Sequence, residues 1–252
     1  MNIAIQNVLH RPWPLVSRRW VMHMRWHDLL FAHWPVEAEA IRRLIPPPLE
    51  VDTFGGRAWI GVVPFRMDNV RLRGLPGMPG ISAFAEINVR TYVTDGKKPG
   101  VWFLSLDAPH WLANSIARLW FRLNYRRAQV TSVRENDWVR YESRRRDGSA
   151  VFRARYRPVG RPYHASAMTL EKWLCERYCL YAGSPGRIFR GEIHHEPWTL
   201  QRAEVELETN TMAEPLGIEP PNEAPHALFA KRMDTVVWWP RRVKIETTDE
   251  HR

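Results

Sequence analysis

Along residues 84–93 the side chains alternate without a break. Phe84, Glu86, Asn88, Arg90 and Tyr92 share one parity, and Ala85, Ile87, Val89, Thr91 and Val93 share the other. A period of two sends these sets to opposite faces of a β-strand. Asp95-Gly96-Lys97-Lys98-Pro99-Gly100 follows, then an apolar run at Val101–Leu106. Two strands about a short Gly-containing connection predict an antiparallel pair. Ala58–Phe65 reads as a buried strand, and residues 73–80 as a Gly/Pro-rich loop. Trp138–Arg144 and Ala150–Arg157 alternate about Asp147-Gly148, which predicts a hairpin with one wet face on which Glu142 pairs with an opposing arginine. Further strands are expected at Thr199–Glu208, Ala227–Lys231 and Thr235–Trp239. Helical spacing predicts a short helix over Pro35–Leu44, stopped by Pro46-Pro47-Pro48, and longer ones over Pro109–Arg122 and Ala167–Tyr181.

Many strands with a few interspersed helices, never in strict βαβ alternation, exclude a doubly wound parallel sheet. The expected class is α+β and β-rich: a closed or strongly curled antiparallel sheet, a β-barrel or cone with flanking helices. No linker or low-complexity run divides the 252 residues, so one domain is expected over 1–252, with its packed core at about 20–240 and frayed ends.

In such a curled sheet the even face of 84–93 reads as the polar floor of a pocket, because Phe84 and Tyr92 bracket Glu86, Asn88 and Arg90, and aromatic-rich apolar segments flank the strand. Buried charges need partners, so Glu86, Asn88 and Arg90 are expected to satisfy one another. The bland alternative is an amphipathic strand with its even face in water.

Charge changes this picture little. The formal net charge is +10, but the basic excess is nearly all scattered arginine, with lysine only at 97, 98, 172, 231 and 244. The one dense run, Arg144-Arg145-Arg146, belongs to the hairpin, so nucleic acid is not the expected partner. Residues 1–16 lack the apolar block of a secretory signal, and no later run is long enough to span a bilayer. A soluble, cytoplasmic protein is expected. Cys175 and Cys179, four apart in the expected helix, make neither a disulfide framework nor a zinc knuckle and read as reduced, partly buried thiols.

Other chemistry is sparse. His194 and His195 would point to opposite faces of a strand, and His23 and His27 have the spacing of helical metal ligands without an acidic third ligand. Both pairs read as packing or surface residues. The 13 tryptophans read mainly as core. Neither a nucleophile elbow, a phosphate loop nor a dinucleotide fingerprint occurs. No metal or cofactor is expected.

Several phrases resemble the bacterial YqjF-like family: Asp28-Leu-Leu-Phe-Ala-His-Trp-Pro-Val36, Leu44-Ile-Pro-Pro-Pro-Leu-Glu-Val-Asp52, Val62-Val-Pro-Phe65 and Phe84-Ala-Glu-Ile-Asn-Val-Arg-Thr-Tyr-Val93. Gly100-Val-Trp-Phe-Leu-Ser-Leu-Asp-Ala108, Glu176-Arg-Tyr178 and His195-Glu-Pro-Trp198 extend the resemblance over nearly the whole chain. It implies the acetoacetate decarboxylase-like fold, a curled barrel or cone with an apolar interior pocket. In those decarboxylases an imine-forming lysine and a second lysine follow a Gly-aromatic-Pro turn and face acidic residues of a neighbouring strand.

A desolvated lysine beside another cation is freed as a nucleophile. Lys97-Lys98 is the obvious doublet here, but its Asp-Gly…Pro-Gly setting predicts a solvated turn. The segment Ala117-Arg-Leu-Trp-Phe-Arg-Leu-Asn-Tyr-Arg-Arg-Ala128 looks more like the catalytic turn, yet it carries Asn124, Tyr125, Arg126 and Arg127. Arginine stays protonated and cannot form the imine, so Schiff-base decarboxylation is not expected. What the resemblance leaves is an acidic strand with Glu86 as acid/base, and a pocket in which Asn88, Arg90, Tyr92, Arg118 and Tyr125 hold a carboxylate or enolate.

The partner expected is therefore a small molecule, bound either by an enzyme acting on an organic acid or keto compound or by a non-catalytic ligand-binding or sensing domain. The sequence fixes no oligomeric state, and a homo-oligomer stays open.

Overall fold

A strand buried on both faces reads as a continuous apolar run, and one such run, Leu29-Leu30-Phe31-Ala32, forms the middle of the 15-residue strand Met22–Val36. The structure, a computed structural model, describes residues 7–77, 82–109, 123–219 and 223–243. Among these the strands are β1 (Met22–Val36), β2 (Glu50–Val51), β3 (Ala58–Leu72), β4 (Phe84–Thr94), β5 (Pro99–Ala108), β6 (Tyr125–Glu135) and β7 (Trp138–Arg145). They continue as β8 (Val151–Tyr163), β9 (Cys179–Ser184), β10 (Arg187–His194), β11 (Leu200–Asn210), β12 (His226–Val237) and β13 (Arg241–Arg242). Two short helices, α1 (Ala38–Arg42) and α2 (Leu170–Cys175), accompany them.

All thirteen strands join one sheet, ordered β13-β10-β9-β5-β6-β7-β8-β11-β12-β1-β3-β4-β2. It curls until β4 also pairs with β5, and β10 with β12. The strand-rich, curled architecture matches the sequence expectation. The pairing is not wholly antiparallel, however, because β5 runs parallel to both β6 and β9.

Several boundaries differ from the expected ones. The helix expected over Ala167–Tyr181 stops at Cys175, since Cys179-Leu180-Tyr181 pairs with β10 and β5, and sheet pairing outweighs helical spacing. Cys175 and Cys179 therefore share no helix, although both thiols are free and buried. Pro35 belongs to β1, and the first helix shrinks to Ala38–Arg42. His23 and His27 are strand residues, held by Asp234 (3.1 Å) and Asp68 (2.9 Å). The two strands expected at 227–231 and 235–239 are one, β12, whose charged middle lies against β1 with Asp234 accepting from Arg25. The expected hairpin is β7–β8, and Glu142 pairs with Arg140 on its own strand rather than with an arginine opposite. The helix expected over Pro109–Arg122 falls almost wholly outside the described residues.

Two large apolar clusters occupy the two faces of β1, β3 and β4. Leu30, Ala32, Trp34, Ile60, Val62, Ile87 and Val89 face one, together with Tyr141, Phe152 and Tyr156 from the hairpin. Leu29, Phe31, Val63, Phe65, Met67 and Trp198 face the other. Burying each large side chain contributes about 1.5–3 kcal/mol.

Strict alternation would carry the second face only partway along each strand, and bulges extend it. In β1 the register against β3 slips between His27 and Ala32, where Asp28 adopts φ 51°. Met22, Met24 and Trp26 then line the same cavity as Leu29 and Phe31, although their parity is opposite. In β3 the slip lies opposite His23–Arg25, where Asn69 has φ 52°, so Val70 and Leu72 join Val63, Phe65 and Met67. In β5 it lies at Leu104, so Phe103 and Leu106 both face the cavity. Asp and Asn are the non-glycine residues that tolerate the left-handed region best.

Asp28 is also pinned from outside. Arg134 Nη1 (2.6 Å) and Arg66 Nε (3.1 Å) donate to its carboxylate, and Tyr156 Oη donates to its carbonyl (2.8 Å). A β-branched residue there loses the two charge-assisted bonds and meets the backbone strain, so Asp28→Val is expected to cost about 3 kcal/mol, or roughly 10 °C in Tm. Asp28→Asn keeps the turn and should cost less than half as much. Thermal melts of the two variants against the parent check this, and equal losses would remove the bulge from the explanation.

Candidate functional site

The bulged strands β1, β3 and β5 surround a cavity of about 360 Å³, with the straight strand β4 as its floor. Of the 26 described residues that line it, only Arg71, Glu86, Asn88, Arg90 and Tyr125 carry polar side chains other than tryptophan. Phe84, Glu86, Asn88 and Arg90 all face in, as period two requires, while Ile87, Val89 and Val93 pack into the cluster behind. The even face of this strand is thus buried rather than wet.

Glu86 is 2% exposed and accepts a hydrogen bond from Tyr125 Oη at 2.9 Å. Burial pushes its carboxyl up to about 8; the tyrosine bond opposes the shift and the Asp107 charge adds to it. The group therefore carries its proton at neutral pH. Tyr125, at the start of β6, is pushed well above the usual phenol range by burial and by Glu86. The preceding residue anchors this corner, for Asn124 Nδ2 donates to the Leu104 carbonyl at the β5 bulge (2.6 Å). Below it Arg145 grips Asp107 through two bonds, Nε to Oδ2 (2.5 Å) and Nη2 to Oδ1 (3.1 Å). That pair is buried and neutral overall.

At the other end of the floor, Arg90 has Nε and Nη2 buried without a hydrogen-bond partner, and Asn88 Oδ1 is in the same state. The guanidinium carbon lies 5.1 Å from the Phe31 ring centroid and 5.7 Å from that of Tyr92. The mutually satisfied Glu86/Asn88/Arg90 cluster does not form: Glu86 turns to Tyr125, and Arg90 lies over aromatic faces. Tyr92 stands behind Arg90 rather than on the cavity wall, its hydroxyl 2.7 Å from His33 Nε2 and its phenol pushed up to about 12 by burial. Arg118 is outside the described residues.

Two residues of this corner escaped sequence reasoning. His33 is fully buried, and burial followed by the Arg90 charge holds it well below the usual imidazole range. Gly61, between His33 on β1 and Arg90 on β4, leaves room for both; a Cβ there would lie 2.7 Å from His33 Nε2 and 3.3 Å from Arg90 Cγ. A glycine inside the apolar run Ile60-Gly61-Val62 was the available signal of close approach.

No lysine lines the cavity among the described residues. The Lys97 and Lys98 amides bond Asp95 Oδ1 in the β4–β5 turn, and Lys98 Nζ is tied to Glu192 (2.6 Å) instead of standing in solvent. His194 and His195 diverge, the first to Arg11 and the second to backbone carbonyls. Among the described residues no three His, Cys, Asp or Glu side chains group to hold a metal ion, and no helix is long and apolar enough to cross a membrane.

The profile of the DUF2071 family, described as an uncharacterized conserved protein, matches residues 23–234. The uncharacterized protein YqjF of Bacillus subtilis is 46% identical over 224 residues, 88% of this chain and 92% of that protein. Among solved structures, acetoacetate decarboxylase from Legionella pneumophila superposes with a TM-score of 0.65 at 12% identity, covering 94% of this chain and 93% of its own. The enduracididine biosynthesis enzyme MppR complexed with pyruvate gives 0.63 at 11% identity, covering 89% and 90%. At such identity these likenesses establish the fold alone.

The pH dependence follows from Glu86. Its folded pKa lies above the ordinary carboxyl value, so its contribution to stability is full below about 4.5 and is lost as pH rises through about 8. Chemical denaturation from pH 5 to 8 should show a falling component in the parent, of at most ~1.4 kcal/mol per pH unit, that is missing in Glu86→Gln. Identical slopes would mean that Glu86 is ionised in the fold.

Proposed function

The chain belongs to the DUF2071 family, and from that membership and the cavity on its curled sheet we propose that it binds a small organic acid or keto compound and acts on it without a lysine imine. Arg90 holds the carboxylate or enolate, and Asn88 orients it. Glu86, bonded to Tyr125, supplies or takes up a proton. The observation that carries this reading is the half-buried Arg90 guanidinium, whose Nε and Nη2 are buried without a hydrogen-bond partner beside a largely apolar cavity. An unneutralised cation there is costly, and an anionic ligand removes that cost through charge-assisted bonds. Glu86 supports the acid/base role, since a carboxyl that titrates near 8 can both donate and accept at physiological pH. The Legionella neighbour is an acetoacetate decarboxylase and the MppR structure is a complex with pyruvate, so keto-acid ligands do occur on this fold.

A non-catalytic ligand-binding role draws on one specific observation, that among the described residues no amine nucleophile lines the cavity. The two readings separate on Glu86. Native mass spectrometry of freshly purified protein should show a bound carboxylic acid, and calorimetry with that acid should show Arg90→Gln weakening it roughly ten- to a hundred-fold. Glu86→Gln should retain the ligand and lose its conversion. Unchanged binding in Arg90→Gln together with unchanged turnover in Glu86→Gln would sink the proposal. Binding without conversion in the parent would leave the sensing role.

A further inference from the structure

We propose that the acid taken by this site is an elongated amphipathic monocarboxylate, with an apolar chain or ring of about eight to ten carbons, rather than a short polar keto acid. This rests on the carboxylate reading of Arg90 and adds the chemistry of the rest of the ligand.

Three observations carry it. The first is room. At about 30 Å³ for each water-sized unit, 360 Å³ holds roughly a dozen non-hydrogen atoms, and a four-carbon keto acid fills only about half of that. The second is the walls. The cavity separates two apolar clusters, with Leu29, Phe31 and Phe65 on one side and Leu180, Ile193 and Val237 on the other. Apart from the unpartnered indole N–H groups of Trp26 and Trp198, the described side chains of these walls offer no hydrogen bond to a polar ligand body. The apolar lining runs to the rim, where Leu72 (38%) and Leu75 (54%) stand exposed.

The third is the placing of the polar groups. Arg90 and Glu86 are four residues apart on an unbulged strand, so their Cα atoms are about 13 Å apart, and the two side chains do not bond each other. A ligand whose head engages Arg90 and whose body passes Glu86 is extended. Amphipathic acids fulfil all three conditions at once: one anionic group for the two unpartnered guanidinium nitrogens of Arg90, and a chain whose transfer from water the walls favour.

The test is calorimetric titration of the purified full chain with acetate, butanoate, hexanoate, octanoate and decanoate, and with acetoacetate, 1-octanol and octylamine as comparisons. Affinity is expected to rise about fourfold per added methylene from butanoate to octanoate and then to level off. Octanol and octylamine should bind at least tenfold more weakly than octanoate. Met24→Trp, which fills part of the wall, should move the plateau to a shorter acid, and Leu75→Trp at the exposed rim should do the same should the first variant fold poorly.

The inference is overturned if acetate or acetoacetate binds as tightly as octanoate, or if octanol matches octanoate. Acid binding that depends on Arg90 but not on chain length overturns it and leaves the proposed function standing. No binding by any acid overturns both.

Discussion

Side chains on a β-strand are assigned to faces by parity, so a strand can wall a cavity along its whole length only if its parity reverses where the sheet bends. In this protein Asp28 and Asn69, both held at left-handed φ, perform that reversal in neighbouring strands, and Leu104 does so in β5. The pairing of β1 with β12 runs through Asp28 in constant register, so the two strands turn over together: Leu29 and Ala230 share one cluster, and so do Trp26 and Met233 on the far side of the bulge. Without these reversals Met22, Met24, Val70 and Leu72 would turn away from Leu29, Phe31 and Val63. The apolar volume would then be divided between two faces. The cost is local strain at two residues, offset at Asp28 by two arginines and a tyrosine.

The floor strand is straight, and its regularity has an electrostatic consequence. Had Glu86 and Arg90 been two residues apart, they would have met as an ion pair, ionising the carboxyl and consuming the cation. Spacing by four, with Asn88 between, keeps them independent, and Arg90 is not among the groups that shift Glu86. One strand face thus offers a neutral acid at one end and an unneutralised cation at the other.

Legibility in the sequence divides along the same lines. The β4 alternation, the β7–β8 hairpin and the turn at Asp95 were readable because their signals are local: strict period two, Asp-Gly, and an Asx-capped turn. The bond between Tyr125 and Glu86 joins residues 39 positions apart, a contact that no local signal encodes. β1 was not readable. It is buried on both faces and its parity breaks at Asp28, so its histidines fell at a helical spacing by accident. The helix expected over Ala167–Tyr181 failed for a related reason, since Cys179–Ser184 is claimed by β10 across a tight turn and by β5, which is remote in sequence. The expectation that Glu86, Asn88 and Arg90 satisfy one another failed because it counted only groups on one strand. The nearest partners off that strand came from β6, through Tyr125, and from β1, through the Phe31 ring.

What stands behind Arg90 determines where its counter-charge must come from. His33 is neutral, Tyr92 is an un-ionised phenol, and Gly61 lets both approach without adding a charge. On the far face of the Tyr92 ring lies a second guanidinium, Arg177, 4.7 Å from its centroid, and Asp52 takes that one at 2.6 Å. The carboxylate that could have reached across is therefore engaged, and the intervening ring excludes it from Arg90. Every described group packed behind Arg90 is uncharged or cationic with its own partner. The remaining open direction is the cavity, so compensation of this buried charge falls to whatever anion the cavity admits.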